Sequence, residues 1–315
     1  MIGFIGRRLV ELLPVILIAS MAIFGMIYAI PGGPVAGIVG ENATPEQIAE
    51  VTRRLGLDRP FMVQYADWLG RAVAGDLGQS LHSREPVTRL IGQRLPATLQ
   101  LALVATIFGL LFGIPVAIAS ALRPGSLLDR ILSGWSALAL AVPTFWFGIL
   151  VILLFAVTLR WLPSASGYVP FWQNPAEMLR NTLLPAMTLG LYVSGIFARF
   201  QRASLVAELK SDYVRTARAK GLKEHAVIGR HVMRNALLPF ITIVGIMLAG
   251  FVGGAVVTES VFTYPGLGRL LVGAIGTRDY PVIQGCILII LIGYILVNLV
   301  VDVLYAYIDP RIDYA

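Results

Sequence analysis

The 315-residue sequence predicts an all-α polytopic membrane protein with six transmembrane helices. Hydrophobic residues make up 57% of the chain and charged residues 14%, with a mean hydropathy of +0.78; a soluble domain carries about 25% charged residues. Six apolar runs are long enough to cross a bilayer. The stretch from Arg199 to Leu238, between two of these runs, holds nine Lys or Arg against three acids. Such a basic loop belongs on the cytoplasmic side.

Arg7 and Arg8 precede a first apolar run from about Leu9 to Ile30. A signal peptide has a shorter core of roughly 7–15 apolar residues and a small-residue cleavage site, so this run reads as an uncleaved span with its N-terminus inside. Pro31 to Pro96 is polar and balanced, with seven basic and seven acidic residues, and is expected outside. Within it Thr44 is placed to cap a short helix starting at Pro45, and Pro60 to Gly70 is amphipathic. Asn42-Ala-Thr44 fits a glycosylation sequon, a triplet common by chance.

Spans two to six are expected at Ala97–Leu122, Ile131–Leu159, Thr182–Ala198, Leu237–Phe262 and Val282–Ile308. The basic residues divide 14 inside to 11 outside, and the long Pro31–Pro96 loop supplies most of the outer ones. Long loops count little in the positive-inside rule, so both termini are expected in the cytoplasm. Gly109 and Gly113 form a small-xxx-small pair, as do Gly250 and Gly254, each marking a packing seam that is internal or faces a second membrane chain. Pro115, Pro143 and Pro185 predict kinks. Glu11 and Asp302 lie near cytoplasmic ends, where headgroup exposure accounts for them. Glu259 near the outer end of span five is less easily dismissed.

Some function classes drop out. The formal charge of +7 is concentrated in one membrane-flanked loop without an aromatic platform, so nucleic acid is not implied. Cys286 is the single cysteine, excluding an intramolecular disulfide, and His82, His225 and His231 lack metal-ligand spacing. No GxxxxGK[ST] loop occurs, so no ATP cradle is expected in this chain.

In the charged loop Leu205, Leu209, Tyr213 and Ala217 recur every fourth residue and give a helix one apolar stripe, with Arg202 off it. Gly221 falls at the C-cap, with Leu222 placed to fold back on the last turn. A second short helix carries Val227, Ile228, Val232 and Leu238. The pattern alone suits either a surface for a soluble partner, with the stripe facing it, or a topology determinant whose amphipathic helix is incidental.

Tyr213-Val-Arg215-Thr216-Ala217-Arg-Ala-Lys-Gly221-Leu222, followed by His231-Val-Met-Arg234-Asn235-Ala-Leu-Leu-Pro239, resembles the cytoplasmic "EAA" loop of ABC-importer permeases, nearest their peptide and nickel branch. Arg215-Thr216 stands where the general pattern has Glu-Ala. Further stretches are similar to the same branch: Pro31-Gly-Gly-Pro34, with Gly where the family usually has Asp, Leu55-Gly-Leu-Asp58-Arg-Pro60, Gly75-Asp76-Leu-Gly78-Gln-Ser80, Leu95-Pro-Ala-Thr98 and Glu259-Ser-Val-Phe262-Thr-Tyr264-Pro265-Gly266-Leu-Gly268. Arg278-Asp279-Tyr280-Pro281, Asn298 to Asp302 and Asp309-Pro310-Arg311 complete a resemblance that covers essentially the whole chain.

The resemblance implies a type I ABC importer transmembrane fold in a bacterial inner membrane. Residues 1–94 would be a first helix with an external segment, 95–308 the transmembrane core containing the loop 199–238, and 309–315 a cytoplasmic tail. The implied partners are a second homologous permease, two ATP-binding subunits that hold the ATP and Mg, an extracytoplasmic substrate-binding protein and membrane lipid. It further implies that Tyr213, Arg215, Thr216, Ala217, Gly221, Leu222, His231, Arg234 and Asn235 couple to the ATPase. Glu259, Phe262 and Tyr264 are candidates for the pathway or an external gate. Peptides are the favoured substrate class, with glutathione or a nickel chelate as alternatives. An ion-coupled secondary transporter is the rival class, and its marks would be buried carboxylates or a discontinuous helix at the midplane.

Overall fold

The protein was analysed as a computed structural model that describes residues 2–29, 44–54, 56–165 and 167–308. The Pro31–Pro34 turn, Asn42 and the 309–315 tail lie outside these. Helix α1 (Ile2–Gly25) runs on as a 3-10 turn, Met26–Ala29. Two short helices follow, α2 (Pro45–Arg54) and α3 (Phe61–Val73). Thr44 caps α2 as expected: its Oγ1 accepts from the Gln47 N–H at 3.3 Å while the Gln47 side-chain Oε1 accepts from the Thr44 N–H at 3.0 Å, a reciprocal capping box. The amphipathic face of α3 lays Phe61, Tyr65 and Trp68 against Phe24 of α1, with ring centroids 5.4–5.9 Å apart.

The core is built from α4 (Val87–Ala121) and α7 (Pro175–Glu208), the most extensively packed helix pair. Small residues make this approach possible. A Cβ on Gly190 would stand 2.6 Å from Phe108 Cδ1 and 3.0 Å from the Ala105 carbonyl oxygen, and one on Gly113 would stand 2.8 Å from Phe197 Cβ. Gly109 and Gly113 therefore mark an internal seam. A Cβ on Gly250 would meet nothing within 4 Å among the described residues beyond its own helix, and the surroundings of Gly254 are outside the described positions. Pro115 and Pro185 lie inside unbroken helices.

The third expected span is two helices. Helix α5 (Leu127–Ala141) and α6 (Thr144–Val151, continuing π-helically as Ile152–Thr158) are bent 98° at Pro143. Val142 before the proline takes an extended conformation, ψ 123°, as the steric demand of Pro Cδ on its neighbour requires. Among the described residues there are then five helices long and apolar enough to cross a membrane, or six when the bent pair counts as one.

Three further expectations are corrected. Helix α7 extends past both ends of 182–198, from its Asn174 cap to Glu208. The second loop helix is not separate, because Glu224–Ala226 and the π-helical Val227–Val232 lead straight into α9 (Met233–Gly254), which follows α8 (Asp212–Ala219). Span five breaks at Ala255, after which come α10 (Val256–Val261) and α11 (Leu267–Gly276), a helix where only a loop was expected. Helix α12 (Tyr280–Ile308) closes the chain.

Polar contacts join loops that the sequence assigns to the same side. Ser80 donates to Asp279 at 2.5 Å, tying the 31–96 segment to the 263–281 loop, and Gln100 reaches the Val169 carbonyl. Arg202 pairs with Asp129 at 2.7 Å, tying the 123–130 turn to the end of α7, and Arg8 lies 3.4 Å from Asp302.

Candidate functional site: the 199–238 segment and the Glu259 cap

The charged segment begins inside α7. After Glu208 the chain turns, with the Lys210 and Ser211 N–H groups bonded to the Ala207 and Glu208 carbonyls, and α8 starts at Asp212. The apolar stripe therefore spans two helices instead of lining one. Leu205, Val214 and Ala217 pack with Val227, Val232 and Ala236, and with Ala117 and Ala121 of α4. This corrects the expectation that the stripe, and Ala217 with it, faces a partner: Ala217 is 7% exposed and faces its own chain. Since α7 continues into the loop, α4 lies close enough to cover the stripe.

What α8 leaves outward is polar. Tyr213, Thr216 and Lys220 are exposed and stand three or four residues apart, flanked by Arg215 and Arg218. The Tyr213 hydroxyl donates to Glu208 at 2.5 Å and also bonds the Asn235 side chain, so two residues 27 positions apart meet at one phenol. Burial and the Glu208 carboxylate push that phenol above its ordinary value, keeping it a neutral donor. Arg234 is exposed like Asn235, and His231 is half-buried.

Gly221 terminates α8 as the sequence predicts. Its φ is +75°, its N–H bonds the Arg218 carbonyl at 2.9 Å, and the Leu222 N–H bonds the Ala217 carbonyl at 3.4 Å, the paired bonds of a Schellman motif. The Leu222 side chain does not fold back; it is 42% exposed. Arg218 spans the turn with two bonds to Glu224, at 2.6 and 3.2 Å.

Arg202 is not a bystander. Its guanidinium meets Asp129 at 2.8 and 2.7 Å, and Asp129 also accepts from the Ser120 hydroxyl and the Gly125 N–H. Asp129 is buried and is offset by these donors. Sequence reading missed Asp129, whose available signal was a carboxyl three residues after Ser126, the N-cap of α5.

At the other end Glu259 is fully buried, and its oxygens are occupied. Thr98 donates to Oε1 at 2.7 Å, the Arg269 N–H donates to Oε2 at 2.9 Å, and the Gly268 N–H donates to the same carboxyl. Thr98 in turn accepts the Leu267 N–H at 2.7 Å. Three orphan donors of the first turn of α11 are thus satisfied by a side chain from α10 and one from α4. A Cβ at Gly266 would lie 2.1 Å from Glu259 Oε1, so Gly266 lets the carboxyl reach the backbone. Phe262 and Tyr264 are also fully buried; Tyr264 bonds Gln100 at 3.3 Å, and Phe262 sits close to Gly148 of α6. The structure brings the three residues into the packed core, and the Glu259 partners all come from this chain.

A family described as the binding-protein-dependent transport system inner membrane component matches residues 109–314, and its N-terminal counterpart matches residues 1–102. The chain is similar, at 40% identity over 314 residues and the full length of both, to a protein of Brucella suis biovar 1 (strain 1330) provisionally named a peptide transport system permease. It is similar at 38% over 333 residues, again full length, to the dipeptide transport system permease protein DppB of Alkalihalophilus pseudofirmus. The glutathione transport system permease protein GsiC of Salmonella choleraesuis shares 40% over 314 residues and the whole of both chains. Among solved structures, an inward-facing MetNI methionine ABC transporter chain matches with a TM-score of 0.57 at 20% identity, over 70% of this chain and 96% of that one. The chain belongs to the family of inner membrane components of binding-protein-dependent transport systems, and it carries the fold of an ABC importer's membrane-spanning permease.

Proposed function

We propose that the chain forms half of a translocation pathway for di- or oligopeptides, glutathione included, in an importer driven by two separate ATP-binding subunits. A second homologous permease supplies the other half and an extracytoplasmic binding protein delivers the substrate. ATP and Mg belong to the ATP-binding subunits, and this chain performs no hydrolysis. The carrying observation is the α8 turn: a short helix with its apolar side locked into the chain's own core, a Gly221 cap, and Tyr213, Thr216 and Lys220 presented outward. A lever needs this construction, because a force on its outer face passes into α4, α7 and α9 without loss in a loose loop. Coupling residues are then Tyr213, Arg215, Thr216, Leu222, Arg234 and Asn235 by contact, with Ala217, Gly221 and His231 holding the shape.

Two features that would mark an ion-coupled transporter are present, a buried carboxyl at Glu259 and a broken third span at Pro143. Each has a local cause, the cap of α11 and the conformation imposed on Val142, and neither needs an ion path. Both termini and residues 199–238 face the cytoplasm, and the segment 44–96 faces out.

The test combines topology and reconstitution. In a Cys286→Ala background, an impermeant thiol reagent applied outside should label Ser83→Cys and spare Lys223→Cys. Proteoliposomes with all subunits should take up labelled dipeptide only with ATP. Uptake by this chain alone that a protonophore abolishes would refute the proposal.

A further inference from the structure

A pocket of about 460 Å³ opens beside the Glu259 cap, between residues 80–94 and α11. Two guanidinium groups line it. Arg94 is half-buried and has no hydrogen-bond or ion-pair partner among the described residues. Arg269 is exposed; its side chain donates to the Thr263 carbonyl at 2.6 Å and has no other hydrogen-bond or ion-pair partner among the described residues. The His82 ring stands at the rim, 53% exposed. Asp279 is the pocket's one acid, and it is engaged: Ser80 donates to Oδ2 at 2.5 Å and the Leu81 N–H to Oδ1 at 3.1 Å, with His82 Nδ1 at 3.7 Å.

A half-buried, unpaired guanidinium is costly to keep, since charges removed from water are ordinarily matched. The walls around Arg94 are also fixed, by the Asp279 bonds on one side and the Glu259–Thr98 cap on the other. A rigid, positively charged recess of this kind suits a planar carboxylate, which a guanidinium fork binds in bidentate geometry. The lining contains no Phe, Tyr or Trp: beyond the groups named it consists of Ser, Thr, Gly, Ala, Leu and Val. Specific small-ligand sites are lined mainly by apolar and aromatic side chains, so this recess offers little grip on a peptide's own side chains.

We infer that Arg94 and Arg269 form a carboxylate-docking recess that receives an acidic side chain of the extracytoplasmic binding protein. The inference rests on the proposed function, specifically on this end facing out. Charge pairs of this sort fix register and raise the association rate, and breaking a close one commonly weakens a complex by tenfold or more.

The experiment uses the assembled transporter in nanodiscs and its purified cognate binding protein. Arg94→Glu should weaken binding-protein affinity by about tenfold or more and raise the binding-protein concentration for half-maximal ATPase stimulation, with basal hydrolysis unchanged. Arg94→Lys should retain most of the affinity at low salt, and Arg84→Glu, outside the recess, should change affinity little. A Glu→Lys or Asp→Lys change on the binding protein that restores affinity to Arg94→Glu identifies the partner side chain. Unchanged affinity in Arg94→Glu and in the Arg94→Glu/Arg269→Glu double variant overturns the inference. So does intact binding-protein affinity with selective loss of uptake for free-acid over amidated peptides, which would place the substrate's carboxylate here. Labelling of Ser83→Cys only from the cytoplasmic side would instead refute the orientation, so the two failures are distinguishable.

Discussion

Removing the Glu259 carboxyl separates a cap from an ion path. In Glu259→Ala the Arg269 and Gly268 N–H groups lose their acceptor and Thr98 loses the partner of its hydroxyl proton, all at a site with no exposed surface on Glu259. Each buried donor left without a partner costs about 1–3 kcal/mol, so the loss of three should cost roughly 3–9 kcal/mol before any cavity effect. That is a large part of the 5–15 kcal/mol typical of a whole domain. Glu259→Gln should cost only about 1–2 kcal/mol: the amide oxygen still accepts from Arg269, and the NH2 turns to Thr98 Oγ1, which has a lone pair to offer. Thr98→Val removes the bridge to the Leu267 N–H, and its effect should be less than additive with that of Glu259→Ala, because the two side chains cap one turn.

Thermal denaturation in detergent, followed by the fraction remaining monodisperse, gives the order wild type, Gln, Ala. Uptake by reconstituted transporter should fall in the same order and in proportion to the folded fraction. A Glu259→Ala protein as stable as wild type refutes the cap. A Glu259→Gln protein of wild-type stability that transports nothing would make the carboxyl itself a functional group and revive the ion-coupled reading.

Four other perturbations address the remaining contacts. Gly221→Val puts a β-branched residue at φ +75°, costing about 1–2 kcal/mol and loosening the α8 turn, so ATPase co-purification should drop while Gly221→Asn stays near wild type. Ala217→Glu should destabilise the loop itself by burying a charge among Val214, Val227 and Val232, as limited proteolysis would detect; Thr216→Glu should spare folding and lose ATPase association. Arg202→Ala leaves Asp129 buried without its cation; because Arg202 is 31% exposed, the expected loss is about 1–3 kcal/mol in detergent melts, partly recovered in the Asp129→Asn/Arg202→Gln pair. Gly190→Val overpacks the α4–α7 seam against Phe108 and should cost more than 1 kcal/mol, whereas Gly250→Val should leave melting unchanged.

Periodicity made most of the helices legible, because the bilayer allows little else for apolar runs of this length. Caps were legible where one residue type is nearly required, as at Thr44, Pro45 and Gly221. Three prolines carried the same signal, yet only Pro143 breaks a span. Pro115 and Pro185 are held in line within α4 and α7, the tightly seamed pair, while α6 beyond Pro143 instead turns to lay Gly148 against Phe262 and Thr188. The Asp129–Arg202 pair joins residues 73 positions apart, and nothing in a local pattern marks such a partner.

Ala217 shows the limit most directly. A four-residue apolar repeat states that one face of a helix avoids water; it does not state what covers that face. Here the cover is the chain's own α4 and the start of α9, because α7 carries the loop alongside them, and so the same stripe that suggested a partner surface anchors the loop to its own chain. The side left outward is polar and basic, so the coupling role proposed above predicts recognition by charge and hydrogen bonds at Tyr213, Thr216 and Lys220 and an association with the ATP-binding subunits that weakens with salt. Co-purification that holds unchanged from low to high ionic strength would contradict that reading and point to the exposed Leu222 as an apolar anchor instead.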